Sequence, residues 1–463
     1  MTRPVQISRP LHFLPLLLAI SILGSPRATA QEHPTTNPDA ATYIQPPAAI
    51  AQALRTDKNY AVLDTPNPQG SHFLIRHRTE LSTLDLMSRT TYRLGELQLR
   101  PATDRLWRLD TWGIDGAQVF SLADRRYRDI TLPDGSFASG FRWSPDGGQV
   151  AFLAHLPSHT EVWSANASNG RVRSWSNRRV LATVGAQTGG ELQWTSDGNL
   201  IALLVPADRG VEPPENPVPS SPIVRRTRDE GVSTRTYPYL LDDAHDENLF
   251  EHYTRSQIAE ITSNGSVRPI GAPGMYQSIS LSPDGQYLLA TRIERPFSYR
   301  TSYRGFPRRT VIVNVATGEE TEIEYGPLRE GGGGGGGGGG NGPRAFDWAP
   351  DGSGLVFLQR AERSEEDPDA TRPDRVMRAT APFDLDAATE IVSSDDPIRS
   401  VLFSEDGSRL FATVSKDGKT GIAYWDLTGA EPSGSIIQNY HETDDPLALP
   451  GTLLSMRTAN GLE

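Results

Sequence analysis

Between Tyr276 and Val315, apolar residues fall at every second position and are interrupted once. Ile279 and Leu281 alternate with polar neighbours, Ser282-Pro283-Asp284-Gly285 follows, and Tyr287-Leu288-Leu289-Ala290 resumes the apolar text. A period of two marks a strand with a buried face. The tetrapeptide has the chemistry of a turn. The Ser282 hydroxyl can bond the backbone two residues on, Pro283 fixes φ, Asp284 tolerates the bridge region and Gly285 supplies a positive φ. Strand, turn and strand predict a β-hairpin.

The same frame recurs along the chain. Ser144-Pro145-Asp146-Gly147, Thr195-Ser196-Asp197-Gly198, Ala349-Pro350-Asp351-Gly352 and Ser404-Glu405-Asp406-Gly407 each lie between apolar runs, and Asn67-Pro68-Gln69-Gly70 is a degenerate copy. Five clear copies and a weak one constitute an internal repeat. Hairpin units that cannot bury a face alone stack radially. The expected fold is therefore all-β: a β-propeller of about seven four-stranded blades with one helical insertion. Residues 452–463 read as an element cut short, so the last blade is expected to be incomplete.

Elsewhere the alternation breaks. Met1–Ala30 carries Arg3 and Arg9 ahead of an apolar run from Leu11 to Leu23, then Ala28-Thr29-Ala30, which is the pattern of a cleaved export signal. Residues 31–60 form an N-terminal extension with a short helix from Pro46 to Arg55, and residues 61–463 form the propeller. Within it, residues 207–260 are a Pro-rich loop, with Pro213, Pro214, Pro217, Pro219 and Pro222, followed by a helix from about Asp242 capped by Asp242 or Asp243. Gln257–Ile261 passes back into strand. Residues 329–343 hold ten consecutive glycines, a run with nothing to bury, expected to be a disordered loop between blades.

Composition adds two constraints. The chain has 463 residues, no cysteine and a formal net charge of -12, so no disulfide can form. Loss of Arg3, Arg9 and Arg27 with the leader would make the mature chain more acidic still. That argues against nucleic acid or an anionic membrane as partner. Periplasmic or secreted localisation is expected, with no membrane association after cleavage.

The candidate chemistry is sparse. No Gly-x-Ser-x-Gly occurs, so there is no nucleophile elbow. Gly418-Lys419-Thr420 lacks the earlier glycine of a phosphate loop and reads as a hairpin turn. His245, Asp246, Glu247, Glu251 and His252 cluster on the expected helix, but the two histidines are seven apart and fit capping and surface ion pairs better than a metal. No metal or cofactor is expected. The polar constellation that stands out is Arg292, Arg295, Tyr299, Arg300, Tyr303, Arg304, Arg308 and Arg309. Arginine forks bind carboxylates bidentately, either those of a ligand or this acidic chain's own.

Three further stretches carry a family resemblance: Leu94-Gly95-Glu96-Leu97-Gln98-Leu99-Arg100-Pro101; Tyr237-Pro238-Tyr239-Leu240-Leu241 through His252-Tyr253; and Arg295-Pro296-Phe297-Ser298-Tyr299 through Phe306-Pro307-Arg308. With Tyr43–Pro47 they make the chain resemble the prolyl oligopeptidase family of serine peptidases, in its glutamyl-endopeptidase branch. The resemblance implies a propeller capping an α/β-hydrolase domain that carries a Ser, Asp and His triad, and cleavage of peptides after glutamate. No triad residue can be carried over onto this chain, which is expected to represent the propeller portion, inactive alone, with a separate or lost hydrolase domain as partner. The residues expected to hold an acidic peptide substrate are Arg295, Tyr299, Tyr303 and Arg308. A non-catalytic scaffold for protein contacts is the rival expectation.

Overall fold

The computed structural model describes residues 47–50, 62–78, 82–111, 113–187, 190–215, 238–330, 342–362, 372–404, 406–416, 419–429 and 432–441. The expected leader, the glycine run, most of the Pro-rich loop and the C-terminal residues 442–463 lie outside them. Residues 1–56 form one unit, of which the helical residues 48–50 are described. All of the following concerns the second unit.

Six four-stranded antiparallel sheets follow one another along the chain, covering residues 62–130, 137–174, 192–269, 275–326, 344–394 and 398–441. In each, the strands pair in chain order, a meander. Each repeat of the sequence supplies the connection from first to second strand of one sheet. The six copies thus map one to each of the six sheets. The turn geometry follows the residue types. The Ser282 hydroxyl donates to Asp284 Oδ1 at 2.6 Å and accepts from the Tyr287 N–H at 3.0 Å, while the Gln286 N–H donates to Asp284 Oδ1 at 3.0 Å. Ser144 and Ser404 repeat the pattern, and the degenerate copy uses Asn67, whose Oδ1 accepts from the Ser71 and His72 N–H groups. Gly285 has φ 72°, as its place in the turn requires.

The second strands are the most apolar because a neighbouring sheet covers each face. Val150–His155 and Leu200–Leu204 are buried throughout. Five hydrophobic clusters occupy the five successive sheet interfaces, for example Leu74, Val119, Phe141 and Phe152 between the first two sheets, and Val356, Val376, Leu410 and Ala412 between the last two. The first strands are also stitched directly to one another. Trp194 Nε1 donates to the Arg142 carbonyl at 2.9 Å, Trp348 Nε1 donates to the Ser280 carbonyl at 2.9 Å, and the Gln193 amide bridges to the backbone of Ile279 and Leu281. Register shifts recur in the first strands of sheets one, two, four, five and six. Bulges of this kind add twist. This is a β-propeller.

The seventh sheet is small. It has three strands, Tyr92–Leu94, Leu97–Arg100 and Arg105–Leu106, and interrupts the first blade rather than closing the series. The last described blade has all four strands, because Lys419–Asp426 pairs with Ser433–His441. Residues 452–463, on which the expectation of an incomplete final blade rests, lie outside the described residues. The helical insertion is α3 (Ala244–Thr254), preceded by two short helices, α1 (Leu84–Ser88) and α2 (Trp107–Thr111). Asp243 caps α3 by accepting from the N–H groups of His245 and Asp246, and the strand Gln257–Ile261 follows. Lys416 pairs with Lys419, which makes the phosphate-loop lookalike a hairpin.

Candidate functional site: the insertion face

In a four-stranded meander the connection from second to third strand emerges at the end opposite the other two. Three of these connections meet one another: residues 78–115 in the first blade, 205–256 in the third and 294–307 in the fourth; that of the fifth blade, residues 361–373, lies mostly outside the described residues. All three emerge on one face of the propeller, and there they fuse. One apolar cluster unites Leu94, Leu97 and Leu99 of the first insertion, Leu249, Phe250 and Tyr253 of α3, and Phe297, Tyr303 and Phe306 of the third insertion. Phe250 is fully buried and lies edge-on to both Phe297 and Phe306, with ring centroids 5.1 and 5.5 Å away. The result is a cap over the blades.

Backbone contacts tie the insertions together. The Tyr303 N–H donates to the Gly95 carbonyl at 3.0 Å, and the Glu96 N–H donates to the Tyr239 carbonyl at 2.9 Å. Gly95 and Glu96 both have positive φ, 59° and 75°, the combination that turns a two-residue hairpin. A glutamate there is an unusual choice, and its side chain carries a second duty: Glu96 pairs with Arg304 at 3.2 Å. Beneath the cap, Asp110 is fully buried between Arg100 and Arg105, each at 2.5 Å. Asp104, also buried, is held by Arg179 and Arg209, each at 2.6 Å. The hydroxyls of Tyr92 and Tyr253 both donate to Glu212.

Most of the arginines singled out in the sequence are neutralised from within. Arg295 points its fork at Glu247 (2.6 Å) and Glu251 (2.9 Å) of α3. Arg292 pairs with Glu294 and Glu320, Arg300 with Glu330, and Arg309 with Glu294 and Glu322. Tyr299 is half-buried, and burial together with Glu247 pushes its phenol up to about 12. Tyr303 is 1 % exposed, and its phenol is also raised, chiefly by burial. Arg308 differs. Its Nη2 donates to the Arg304 carbonyl at 2.8 Å, its Nε is buried without a hydrogen-bond partner, and among the described residues no carboxylate lies within ion-pair distance of it. Burial lowers its pKa, and Arg329 and Arg304 lower it further against the opposing effect of Tyr303.

Two functional candidates were not visible in the sequence. Glu191, at the start of the third blade's first strand, is 2 % exposed and keeps Oε2 buried without a hydrogen-bond partner. Burial raises its pKa, with Arg142 and Arg108 acting against the shift. Arg108, on α2, opposes the shift of Tyr303 as well and donates to the Ala186 carbonyl at 2.8 Å. Nothing in the local sequence marks either residue. On α3 the metal reading finds no support: no group of three potential ligands occurs among the described residues, and His252 stacks edge-on against Tyr253. No helix among the described residues is long and apolar enough to cross a membrane.

No family model matches the chain. Among curated proteins it is 28% identical over 233 residues to a probable chloroplastic glutamyl endopeptidase of Oryza sativa subsp. japonica, a match covering 49% of this chain and 24% of the relative. The corresponding protein of Arabidopsis thaliana is 26% identical over 262 residues, covering 55% and 27%. The matches thus span about a quarter of each relative. Among solved structures, a prolyl endopeptidase superposes with a TM-score of 0.46 at 13% identity, covering 85% of this chain and 45% of that one. The propeller domain of the trilobed protease from Pyrococcus furiosus gives 0.38 at 13% identity, covering 82% and 85%. Over these stretches the chain is similar in sequence to the probable glutamyl endopeptidases, and its fold is that of a β-propeller.

Proposed function

We propose that this chain is the gating propeller of an exported serine peptidase that cleaves peptides after glutamate. The observation that carries this reading is the insertion face: three separate insertions converge on one side of the propeller and build a cap rich in arginine within an acidic protein. Such a cap filters what reaches a catalytic centre by size and by charge. The nucleophile, its base and its oxyanion donors belong to an α/β-hydrolase partner domain, since the 463 residues contain no Gly-x-Ser-x-Gly. The propeller's own part is positioning: rigid blades carry the cap, and the cap orients an extended substrate. Residues 1–30 direct export and are removed.

The test is reconstitution. The purified chain alone should leave a glutamyl peptide intact. The same chain joined to the hydrolase domain of a glutamyl endopeptidase should support cleavage, with a preference over the glutaminyl analogue that the hydrolase domain alone lacks. Turnover by the unaided chain, or an unchanged preference in its absence, defeats the proposal. N-terminal sequencing of the exported product should begin at Gln31.

A further inference from the structure

Among six arginines between Arg292 and Arg309, five are matched by carboxylates of the chain itself. The exception is Arg308, and its surroundings make the exception informative. Its neighbours in charge are Arg304 and Arg329, both cations, and the phenol of Tyr303. Two acids lie near. Glu96 is engaged by Arg304 at 3.2 Å, and Glu324, near Arg329, is itself pushed toward its neutral form by burial. Three arginines, Arg304, Arg308 and Arg329, are therefore neighbours where Glu96 and Glu324 answer them, on a chain whose overall charge is -12.

A half-buried guanidinium with an unmatched Nε costs free energy that its neighbours increase. The planar fork suits a carboxylate, and the surplus positive potential attracts an anion. We propose that Arg308, with Arg329 alongside, forms the carboxylate-binding subsite of the insertion face, taking the side chain of an acidic residue in a peptide. Arg295, the more conspicuous arginine in the sequence, instead clamps α3 to the third insertion. This assignment deepens the reading of the chain as a gate for acidic peptides, but its test is equilibrium binding and does not depend on turnover.

The experiment titrates the full chain with Ac-Ala-Glu-Ala-NH2, with the isosteric Ac-Ala-Gln-Ala-NH2 and with inorganic phosphate, following binding by NMR or calorimetry. Selective binding of the glutamyl peptide is expected. Arg308→Gln should weaken it by about tenfold or more, the range for losing a charged hydrogen-bonding partner. Arg308→Lys should restore part of the affinity, and Arg329→Gln, on the exposed side, should weaken it less. Arg295→Gln should lower the melting temperature while leaving the affinity of the folded protein within about twofold. Phosphate should compete, which would show that the cation cluster is the site; tighter binding of phosphate than of the peptide would make it a general oxyanion site and overturn the assignment. Equal binding of both peptides, no binding at all, or unchanged affinity in a folded Arg308→Gln variant would also overturn it. Thermal melts of each variant separate loss of binding from loss of fold.

Discussion

The two faces of this propeller are built on opposite principles. On the turn face, six short connections of similar sequence each close one blade, and five satisfy their backbone through their first side chain: Ser144, Ser282 and Ser404 by hydroxyl, Thr195 likewise, Asn67 by amide oxygen; the sixth, which opens with Ala349, uses the Asp351 carboxylate. The contacts span at most five residues of sequence. On the insertion face, three unlike segments meet across gaps as long as 208 residues, as in the Arg304–Glu96 pair. The turn face is local and redundant, whereas the insertion face is long-range and made once. A propeller scaffold is easily kept by repetition, which leaves the other face at liberty to carry something specific.

The largest expected effect breaks the insertion face at its centre. Phe250→Ala removes the ring on which Phe297 and Phe306 close, at a cost of about 3–5 kcal/mol. Because all three insertions share this cluster, protection of amides in 92–106, 244–254 and 297–306 should fall together in hydrogen exchange while the blades stay protected. Loss confined to α3 would show that the insertions are independent. Close behind comes Asp110→Ala, which strands two buried guanidiniums, Arg100 and Arg105, and should cost about 3–5 kcal/mol in denaturant unfolding. A loss below about 1 kcal/mol would mean that water already shields the pair.

How much of this was legible in the sequence follows the same division. The blades and their turns could be read because the information is local: alternation with period two, and a turn tetrapeptide whose residues each have a reason. The helix cap at Asp243 was legible for the same reason. The three-stranded sheet was not, because its hairpin turns on Gly95-Glu96, and glutamate at φ 75° gives no turn signal. The arginine cluster was visible as a cluster, but its meaning was not. Glu247 and Glu251 lie 48 and 44 residues before Arg295, so only the folded chain shows that Arg295 is matched and Arg308 is not. Glu191 and Arg108 are single residues placed by topology, and no pattern announces them.

Smaller effects sharpen the contrast on the turn face. Ser282→Ala removes the hydroxyl that joins Asp284 to the Tyr287 N–H and should cost about 1 kcal/mol in chemical denaturation. The change should be the same within error for Ser404→Ala, and the two together should add, since they lie in different blades. Strong coupling between them would show that the turn face, too, is one cooperative unit.

The smallest effect, and the one that separates the faces by sign, is their response to acid. Asp406, fully exposed in its turn, is held down to about 2 by the Ser404 hydroxyl and by the N–H and hydroxyl of Ser408. Its folded-state pKa lies below the unfolded value, so its contribution is present above the ordinary aspartate range and disappears as pH falls through about 2. Glu191 on the insertion face is shifted the other way by burial. Its folded-state pKa exceeds the unfolded one, so the protonated form is the better tolerated, and what it contributes is lost as pH rises through the raised value. Acidification from neutrality should therefore relieve Glu191 before it weakens the turn. Carboxyl NMR titration should find Asp406 titrating below, and Glu191 above, their unfolded counterparts. Glu191→Gln should remove the insertion-face response and raise the melting temperature at pH 7, because it replaces a buried charge with a neutral amide of the same shape. If Glu191→Gln melts lower than the parent at pH 7, the glutamate is ionised and matched by a cation, and the insertion face has no reserve of unfavourable charge for a ligand to relieve.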